Sequence, residues 1–486
     1  MRFPAAHALR FFAFLCLASA IPGGAFADTI YLKNGRKITA THVVRENGQV
    51  SYETPAGKLS FPVSIVDRVV HDDSSPISVA GTPSDRAANL PIAPPNALAA
   101  PSNDAAANAA VRDGSIDIDL LWKLESEATA NPTPTAVARV VAAESAAAQF
   151  EISVGDFDQA VAHYNAGLRF DPDSTGLLLE AAYLHLKRSE YSAAADLLDQ
   201  ARRFDPDSAE VAKLSGWAFY GLNRAADAVT QWKRAMELKP DEETQHALEK
   251  AERDVREEAE YHEGETTHFR LKYNGGAAPE LAQDVLKTLE SEFDEISATL
   301  NYVPPEPIGV ILYTNQTFMD ITRAPSWSGA LNDGRIRVPV EGLTSMTDEL
   351  ARVLKHELTH SFVGQKTGGR CPVWLQEGLA QYMEGKRSRS NARYLSAAYE
   401  QHMEFSLLSY ETSWLNLPRD AASKAYVWSL AVVETIMTVN GVDDLERILD
   451  RLATGSSAED AVRAVLHEDY SELMLSTAQF LRKAYL

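Results

Sequence analysis

The amino-acid sequence predicts a multidomain protein: a small all-β barrel at the N-terminus, an α-helical repeat solenoid in the middle and an α+β domain at the C-terminus. Three observations support this order. Strand-like alternation with turn dipeptides fills the first segment, a pattern recurs every 34 residues in the second, and strand and helix patterns alternate in the third. The 486 residues exceed one ordinary domain, and 45% hydrophobic residues are enough to bury sizeable cores.

Residues 1–27 have the pattern of an export signal. Arg2 and Arg10 precede the apolar run FFAFLCLASA, and the tripeptide AFA at 25–27 has small residues where a signal peptidase reads them. A transmembrane anchor is the alternative, but the apolar run is shorter than the roughly 20 residues that span a bilayer, and Pro22 follows it. We therefore expect an exported protein with no membrane span after signal removal, in the bacterial periplasm by preference, with secretion as the alternative.

Charge and cysteine content narrow the classes of partner. The chain has 46 basic and 68 acidic residues, a net charge of −22, which becomes −24 when Arg2 and Arg10 are removed with the signal. This charge opposes binding to phosphate backbones and anionic lipids, so nucleic acid is not an expected partner. Cys371 would be the only remaining cysteine, so no intramolecular disulfide can form and stability must come from packing.

Residues 28–72 predict the small β domain. The stretch TIYLKNGRKITATHVV alternates β-branched and polar residues, and Asn34-Gly35, Asn47-Gly48 and Ala56-Gly57 are hairpin signals. The pattern resembles exported SH3-like barrels, and that resemblance implies a binding or positioning role.

Two connecting segments follow. Residues 73–114 are rich in Ala, Pro, Ser, Asn and Asp, with too little large apolar side chain to offset chain entropy, which predicts a disordered linker. Residues 115–140 predict a linking helix that begins near Ile116 and is interrupted by Pro132 and Pro134, since proline lacks the N–H that a helix interior needs.

The middle of the chain repeats itself. Pro172, Pro206 and Pro240 are 34 residues apart, which is the tetratricopeptide period. Matching interior positions carry small residues around one large apolar residue: Ala160, Tyr164 and Gly167; Ala194, Leu198 and Ala201; Ala228, Trp232 and Ala235. Small side chains let paired helices approach while the large one fills the groove. We predict three tetratricopeptide repeats over 141–242 and a capping or bridging helix over 243–261.

Two roles remain open for these repeats. They can form a scaffold that only spaces the domains, or a concave surface that binds a protein partner.

The last segment, 262–486, combines strand patterns (HFRLKYN, IGVILYT, GRIRVPV) with an amphipathic helix between the first two. A longer helix then carries the stretch HELTH. Ser345 and Asp348 have capping-box spacing at its start, and Gly368-Gly369 can end it. Leucine and phenylalanine recur on one face, so the helix is expected to bury that face.

The stretch HELTH predicts a metal site. His356 and His360 are four residues apart, so a helix projects both imidazoles from one side, as two ligands of one zinc ion require. Glu357 lies beside them and can act as the general base that takes a proton from zinc-activated water.

Glu377, in CPVWLQEGLAQYMEG, is the predicted third ligand. It stands seventeen residues after His360, which leaves room for a turn and a second helix opened by Pro372. Two histidines and one glutamate leave a fourth position open, which is typical of catalytic rather than structural zinc. A structural site would close with cysteine, and only Cys371 is nearby.

HELTH followed by PVWLQEGLAQY resembles the peptidase MA-like gluzincins, zinc metallopeptidases that carry HExxH and a later glutamate. The resemblance implies an α+β gluzincin-like metallopeptidase domain with a peptide or protein substrate, and SWSGALNDGRIRVPV would line its cleft. It also implies a group that stabilises the oxyanion, for which Tyr426 is the candidate; the alternative is a tyrosine buried between helices. Gln381 could orient a ligand or lie on the surface.

Two functions are therefore consistent with the sequence. The first is an exported zinc-dependent metallopeptidase, as an endopeptidase or an aminopeptidase, with Glu357 as general base. The second is a non-catalytic or weakly catalytic envelope binding or assembly protein that works through its repeats and β domain.

Overall fold

A computed structural model describes most of the chain. The described residues are 27–32, 37–46, 49–54, 57–63, 66–70, 105–112, 114–274, 279–314, 331–332, 334–340, 342–403, 406–412, 414, 417 and 419–486. Residues 1–26 of the predicted signal sequence, residues 73–104 of the predicted linker and most of the predicted hairpin dipeptides lie outside these ranges.

The N-terminal strands form an antiparallel sheet. The strands are β1 (Ala27–Leu32), β2 (Lys37–Glu46), β3 (Gln49–Thr54), β4 (Gly57–Pro62) and β5 (Val66–Val70). Their order is β4-β3-β2-β1-β5, a meander in which the last strand returns beside the first. Strands β4 and β5 stand at opposite ends of this order, so the sheet matches the predicted antiparallel pattern while closure into a barrel stays a prediction.

Residues 105–112 differ from the predicted disordered linker. Helix α1 (Ala105–Ala110) is followed by a hairpin of β6 (Val111–Arg112) and β7 (Ser115–Ile116), and by helices α2 (Ile118–Ala130) and α3 (Pro134–Val154). Ala106 and Ala110 pack with Leu121, Leu124 and other side chains of α2 and α3 in one small core. Alanine is small enough for helices to approach closely, so this alanine-rich stretch gains an apolar contact that its composition did not indicate.

The predicted linking helix is two helices. The break between α2 and α3 falls at Pro132, and α3 starts with Pro134 at its first turn, where no N–H is needed. The Oγ1 atom of Thr133 accepts a hydrogen bond from the N–H of Ala136, which caps α3.

The repeats form paired helices with the predicted period. After α3 come α4 (Phe157–Phe170), α5 (Thr175–Lys187), α6 (Tyr191–Phe204), α7 (Ala209–Gly221), α8 (Ala225–Leu238) and the capping helix α9 (Glu242–Glu258). Ala160, Ala194 and Ala228 are buried at the matching positions. Trp232 fills the large position of the third repeat and donates its Nε1 hydrogen to the Lys213 carbonyl oxygen.

A second five-stranded sheet organises the C-terminal domain. Its strands are β8 (His262–Glu265), β9 (Phe269–Tyr273), β10 (Ile308–Tyr313), β11 (Leu331–Asn332) and β12 (Arg335–Pro339), in the order β11-β12-β10-β9-β8. Strands β9, β10 and β12 are parallel, and the two edge strands are antiparallel to their neighbours.

One face of this sheet supports the domain core. Side chains such as Leu271, Val310 and Ile336 alternate towards helices α10 (Pro279–Leu300) and α11 (Asp348–Lys366). The core continues through helices that complete the domain: α12 (Val373–Met383), α13 (Ala392–Glu400), α14 (Arg419–Thr435), α15 (Val442–Ala453), α16 (Ala458–Leu466) and α17 (Tyr470–Tyr485). A π-helical turn, Ile436–Asn440, joins α14 to α15.

The repeats dock on the C-terminal domain through the turns between their paired helices. In the first repeat, Gly155 lies so close to Thr454 that a β-carbon would overlap its carbonyl oxygen. In the second, the Ser192 N–H donates to the Glu306 carboxylate at 2.9 Å. In the third, Asn223 contacts the sheet. All three repeats therefore contact the C-terminal domain, and the repeat region packs against it.

The opposite face of the sheet is covered by α7 and α9. Arg335 and Arg337 project from β12 on this face and are buried against Asp254 and Glu258 of α9. The Tyr220 hydroxyl of α7 donates to Asp254 Oδ2 at 2.7 Å. Buried charges are tolerated only when they are paired and hydrogen-bonded. The two arginines and the two carboxylates of this cluster all meet this condition.

Within the described ranges, no single helix combines the length and apolar composition that a membrane crossing needs. One bent pair, Ala421–Asn440 with Val442–Ala453, meets both criteria only when its two halves, which meet at 119°, are taken together.

Candidate active site

Helix α11 presents the HELTH stretch with one face buried. Leu350, Leu354, Leu358 and Phe362 are fully buried, as the apolar stripe predicted. The N-cap is Thr347, whose Oγ1 accepts from the Leu350 N–H at 3.1 Å, so the capping box predicted from Ser345 is wrong. The helix begins directly after Thr347, which leaves Ser345 too far from the first free N–H groups.

Helix α12 presents Glu377 to α11. The helix begins at Val373, directly after Pro372, and packs closely on α14. Gly378 lies at this contact, where a β-carbon would overlap the Ser429 carbonyl oxygen. The glycine after the predicted ligand therefore permits the close approach that orients Glu377.

The three predicted ligand atoms converge. The Nε2 atoms of His356 and His360 are 3.1 Å apart, and each lies 3.6–3.7 Å from Glu377 Oε2. Tetrahedral zinc with bonds of about 2.0–2.1 Å holds its ligand atoms about 3.3–3.4 Å apart, so this triangle has the size that zinc requires. Glu377 Oε2 is buried and has no hydrogen-bond donor among the described residues, which suits an atom that binds a cation.

Glu384, which the sequence analysis missed, lies behind His356. Its Oε1 atom is 3.2 Å from His356 Nδ1, and Lys386 Nζ is 2.8 Å from the same oxygen. A carboxylate on the far nitrogen of a ligating histidine sets its tautomer and leaves Nε2 free for the metal. The spacing in the sequence could have indicated this residue. Glu384 is seven residues, or about two helical turns, after Glu377 and therefore lies on the same side of α12.

Asn332 is a second residue that the sequence analysis missed. Its Nδ2 atom donates to the Glu357 carbonyl oxygen at 2.7 Å and to Ser361 Oγ at 2.6 Å. The edge strand β11 is thereby tied to the middle of α11. The predicted cleft segment SWSGAL lies outside the described residues, apart from its last residue.

Burial and charge set the pKa values around these ligands. Burial, with the nearby Glu377 and Glu384 carboxylates, raises the pKa of Glu357 to about 7. Burial by itself would lower the pKa of His356, but the nearby Glu377 and Glu384 carboxylates raise it to about 10. Burial lowers the pKa of His360 to about 4. The site therefore combines a carboxyl group that titrates near neutrality with two very different imidazoles.

Tyr426 lies near the carboxylates of the site. The Glu377 charge, followed by burial and the Glu357 charge, raises the pKa of the Tyr426 phenol well above its ordinary value. Its ring packs edge-on against Trp414 with 5.1 Å between centroids. Both predicted roles are compatible with this position, because the ring is partly buried against the domain core and the charges of Glu377 and Glu357 act on the phenol.

Gln381 is buried and does not lie on the surface. Its Nε2 atom donates to the carbonyl oxygens of Glu377 at 3.1 Å and Tyr426 at 3.0 Å. The side chain therefore joins the backbones of α12 and α14 and contacts the Glu377 carbonyl rather than its carboxylate.

Two parts of the chain match known protein families. Residues 295–482 match the Peptidase MA superfamily, and residues 151–218 match a tetratricopeptide repeat family. The match to the Peptidase MA superfamily thus follows the match to tetratricopeptide repeats along the chain, in the order predicted. No curated protein matches the chain.

Two solved structures resemble part of the chain. The NMR structure of the first TPR domain of the human RPAP3 protein is 19% identical, covers 24% of this chain and 93% of its own, and has a TM-score of 0.23. The MamA RS-1 ArsTM double mutant is also 19% identical, covers 29% of this chain and 84% of its own, and has a TM-score of 0.22.

Proposed function

We propose that the chain is an exported zinc-dependent metallopeptidase, periplasmic by preference, that hydrolyses peptide bonds of a peptide or protein. One observation carries the proposal: the converging triangle of His356, His360 and Glu377, with the Glu357 carboxyl group beside it on the same helix. The Peptidase MA match over residues 295–482 supports the same reading.

The ligand set suits zinc by its chemistry. Two imidazoles and one carboxylate are the ligands of many catalytic zinc sites, in which the remaining position is left to water or substrate. Bound zinc would supply a Lewis acid that polarises the scissile carbonyl group and makes water a better nucleophile.

Glu357 is the proposed general base. Burial raises its pKa to about 7, and the charge of bound zinc would lower it again, which favours the carboxylate. The carboxylate is the form that takes a proton from the attacking water and then returns it to the departing amine. Asn332 supports this role by holding the Glu357 backbone carbonyl, which limits movement of the base.

Tyr426 is the proposed donor to the developing oxyanion. A phenol with a raised pKa keeps its proton and can donate a hydrogen bond where negative charge accumulates. The repeats, docked along the same domain, are proposed to bind protein or to hold the domain in place.

The test is Glu357→Gln in the full chain, assayed against a peptide library with and without chelator. Removing the base while keeping size and hydrogen bonding should lower hydrolysis by about 10²- to 10⁴-fold. Zinc content should stay at the wild-type level, since Glu357 is not a ligand.

Unchanged hydrolysis in the glutamine variant would overturn the mechanism. A zinc-loaded wild-type protein that cleaves nothing in the library would favour the alternative, a binding or assembly protein.

A further inference from the structure

A cleft separate from the metal site lies where the third repeat meets the sheet. It has a volume of about 490 Å³ and is lined by the turn between α7 and α8 and by strands β8, β9, β10 and β12. This volume is within the range of small-ligand sites and is many times the share of one water molecule. None of the predicted metal ligands lines it.

The floor of the cleft is a row of three residues on neighbouring strands. Gly309 of β10 pairs in register with Arg270 of β9 on one side and with Arg335 of β12 on the other. Paired residues share a face of a sheet, so both arginines flank the glycine. Asn223 reaches down between them, because its Oδ1 atom occupies the space that a β-carbon on Gly309 would need.

Two buried polar atoms at this row lack a hydrogen-bond partner among the described residues. They are Arg335 Nε, a donor, and Asn223 Oδ1, an acceptor. The other nitrogens of Arg335 are engaged by Asp254 and Glu258, and Asn223 Nδ2 is 3.5 Å from the Pro307 carbonyl oxygen. A buried donor and a buried acceptor at the same row of residues are complementary to a molecule that offers one of each.

The charges around the cleft are mixed. Arg270 pairs with Glu265 at 3.2 Å, whereas Lys272 lies 3.3 Å from the buried Glu258 and 3.8 Å from Glu263. Glu263 and Glu265 are mostly exposed, so their ion pairs at the rim are weak and can exchange for a ligand's charges. A phosphate would meet the two carboxylates, whereas a molecule with an amino group at one end and a carboxylate at the other would meet charges of both signs.

We propose that this cleft binds a short peptide. One residue of an extended peptide presents its own N–H and C=O on the same edge, which offers an N–H to Asn223 Oδ1 and a carbonyl oxygen to Arg335 Nε. The charged termini of a short peptide suit the mixed rim. The inference goes beyond the proposed function, since it does not depend on the metal or on hydrolysis.

The probe is trialanine, titrated by calorimetry into the full chain carrying Glu357→Gln, so that the peptide cannot be consumed. Saturable binding is expected, and it should be unchanged after chelation. Asn223→Gly removes the acceptor while keeping the positive φ of 61°, and should weaken binding by about tenfold, the cost of one lost buried hydrogen bond. The matched control is Asn301→Gly, an exposed asparagine that also has a positive φ.

Hydrogen exchange gives a second readout that does not need the Asn223 variant to fold. Trialanine should slow exchange of amides in Gly264–Lys272 and around Gly309. The proposal is overturned if trialanine shows no saturable binding, if Asn223→Gly binds as well as the control, or if protection appears only near Asn332 and Glu357. The last outcome would mean that the peptide occupies the metal site, and the first that the cleft holds only water.

Discussion

At the residue scale, Glu384 distinguishes the two histidines of the candidate metal site. Its carboxylate contacts Nδ1 of His356, whereas Nδ1 of His360 has no partner among the residues that the structure describes. The two ligands are therefore held with unequal strength, and the orientation of His356 depends on a residue outside the HExxH stretch.

Glu384→Gln should weaken zinc binding by about 10- to 100-fold, because the amide accepts a weaker hydrogen bond from His356 and removes a charge behind the ligand. Competition with a chromophoric chelator measures the affinity. Glu400→Gln is the control, since Glu400 forms only a surface ion pair with Arg482. Equal affinity in the two variants would show that Glu384 does not position His356.

At the element scale, the site depends on how closely α12 packs on α14. Gly378 makes the approach possible, and Gln381 joins the two backbones one turn later. Glu377 directly precedes Gly378, and its carbonyl oxygen accepts from Gln381, so the packing of the helix sets the direction of Glu377.

Gly378→Ala should force α12 away from α14 and lower the free energy of unfolding by about 1–3 kcal/mol, the usual cost of overpacking. It should also reduce bound zinc, since Glu377 moves with the helix. Chemical denaturation and metal analysis measure the two effects.

The control for Gly378→Ala is Gly364→Ala on α11, where the nearest atom to an added β-carbon is 4.0 Å away. That change should stabilise the protein slightly, because alanine favours helix by about 1 kcal/mol. A Gly378→Ala protein as stable as the Gly364→Ala protein would contradict the packing argument.

At the scale of the whole molecule, the repeats and the C-terminal domain are joined by buried charges. Asp254 of α9 contacts both Arg335 and Arg337 of β12. The same strand pairs with β11, whose Asn332 holds the HELTH helix. Three successive contacts, α9 with β12, β12 with β11 and β11 with α11, thus connect the capping helix to the candidate site.

Asp254→Asn should lower the free energy of unfolding by about 3–5 kcal/mol, because it leaves two buried arginines with too little negative charge. Thermal unfolding of the full chain measures this. Asp207→Asn, which removes only the exposed pair with Arg234, should cost less than about 1 kcal/mol. Similar losses in the two variants would argue against a junction held by charge.

The same residue predicts a pH dependence. Burial by itself would raise the pKa of Asp254, but the charges of Arg335 and Arg337 lower it below its ordinary value. A carboxyl with a lowered folded-state pKa stabilises the protein above its ordinary pKa of about 3.9, and that contribution is lost as the pH falls further. Acid unfolding should therefore be less steep in Asp254→Asn than in the wild type.

Local patterns in the sequence were sufficient for the helix that carries HELTH, for the 34-residue repeats and for the choice of His356, His360 and Glu377. Each depends on spacing along one helix or on a repeated unit, and helix geometry converts such spacing directly into position. Neither the alanine-rich helix α1 nor the N-cap at Thr347 was predicted from the sequence. Composition and capping preference are weak predictors, because tertiary contacts often override them.

The candidate metal centre was thus determined by the sequence itself, since its ligands lie on two helices with recognisable spacing. Only the tertiary structure decided what surrounds it: Glu384 behind His356, Asn332 on the Glu357 carbonyl, and two arginines of a strand pattern buried under the repeats. These contacts join residues with no periodic relation in the chain. Their physical cause is the packing of separate elements, which local spacing does not encode.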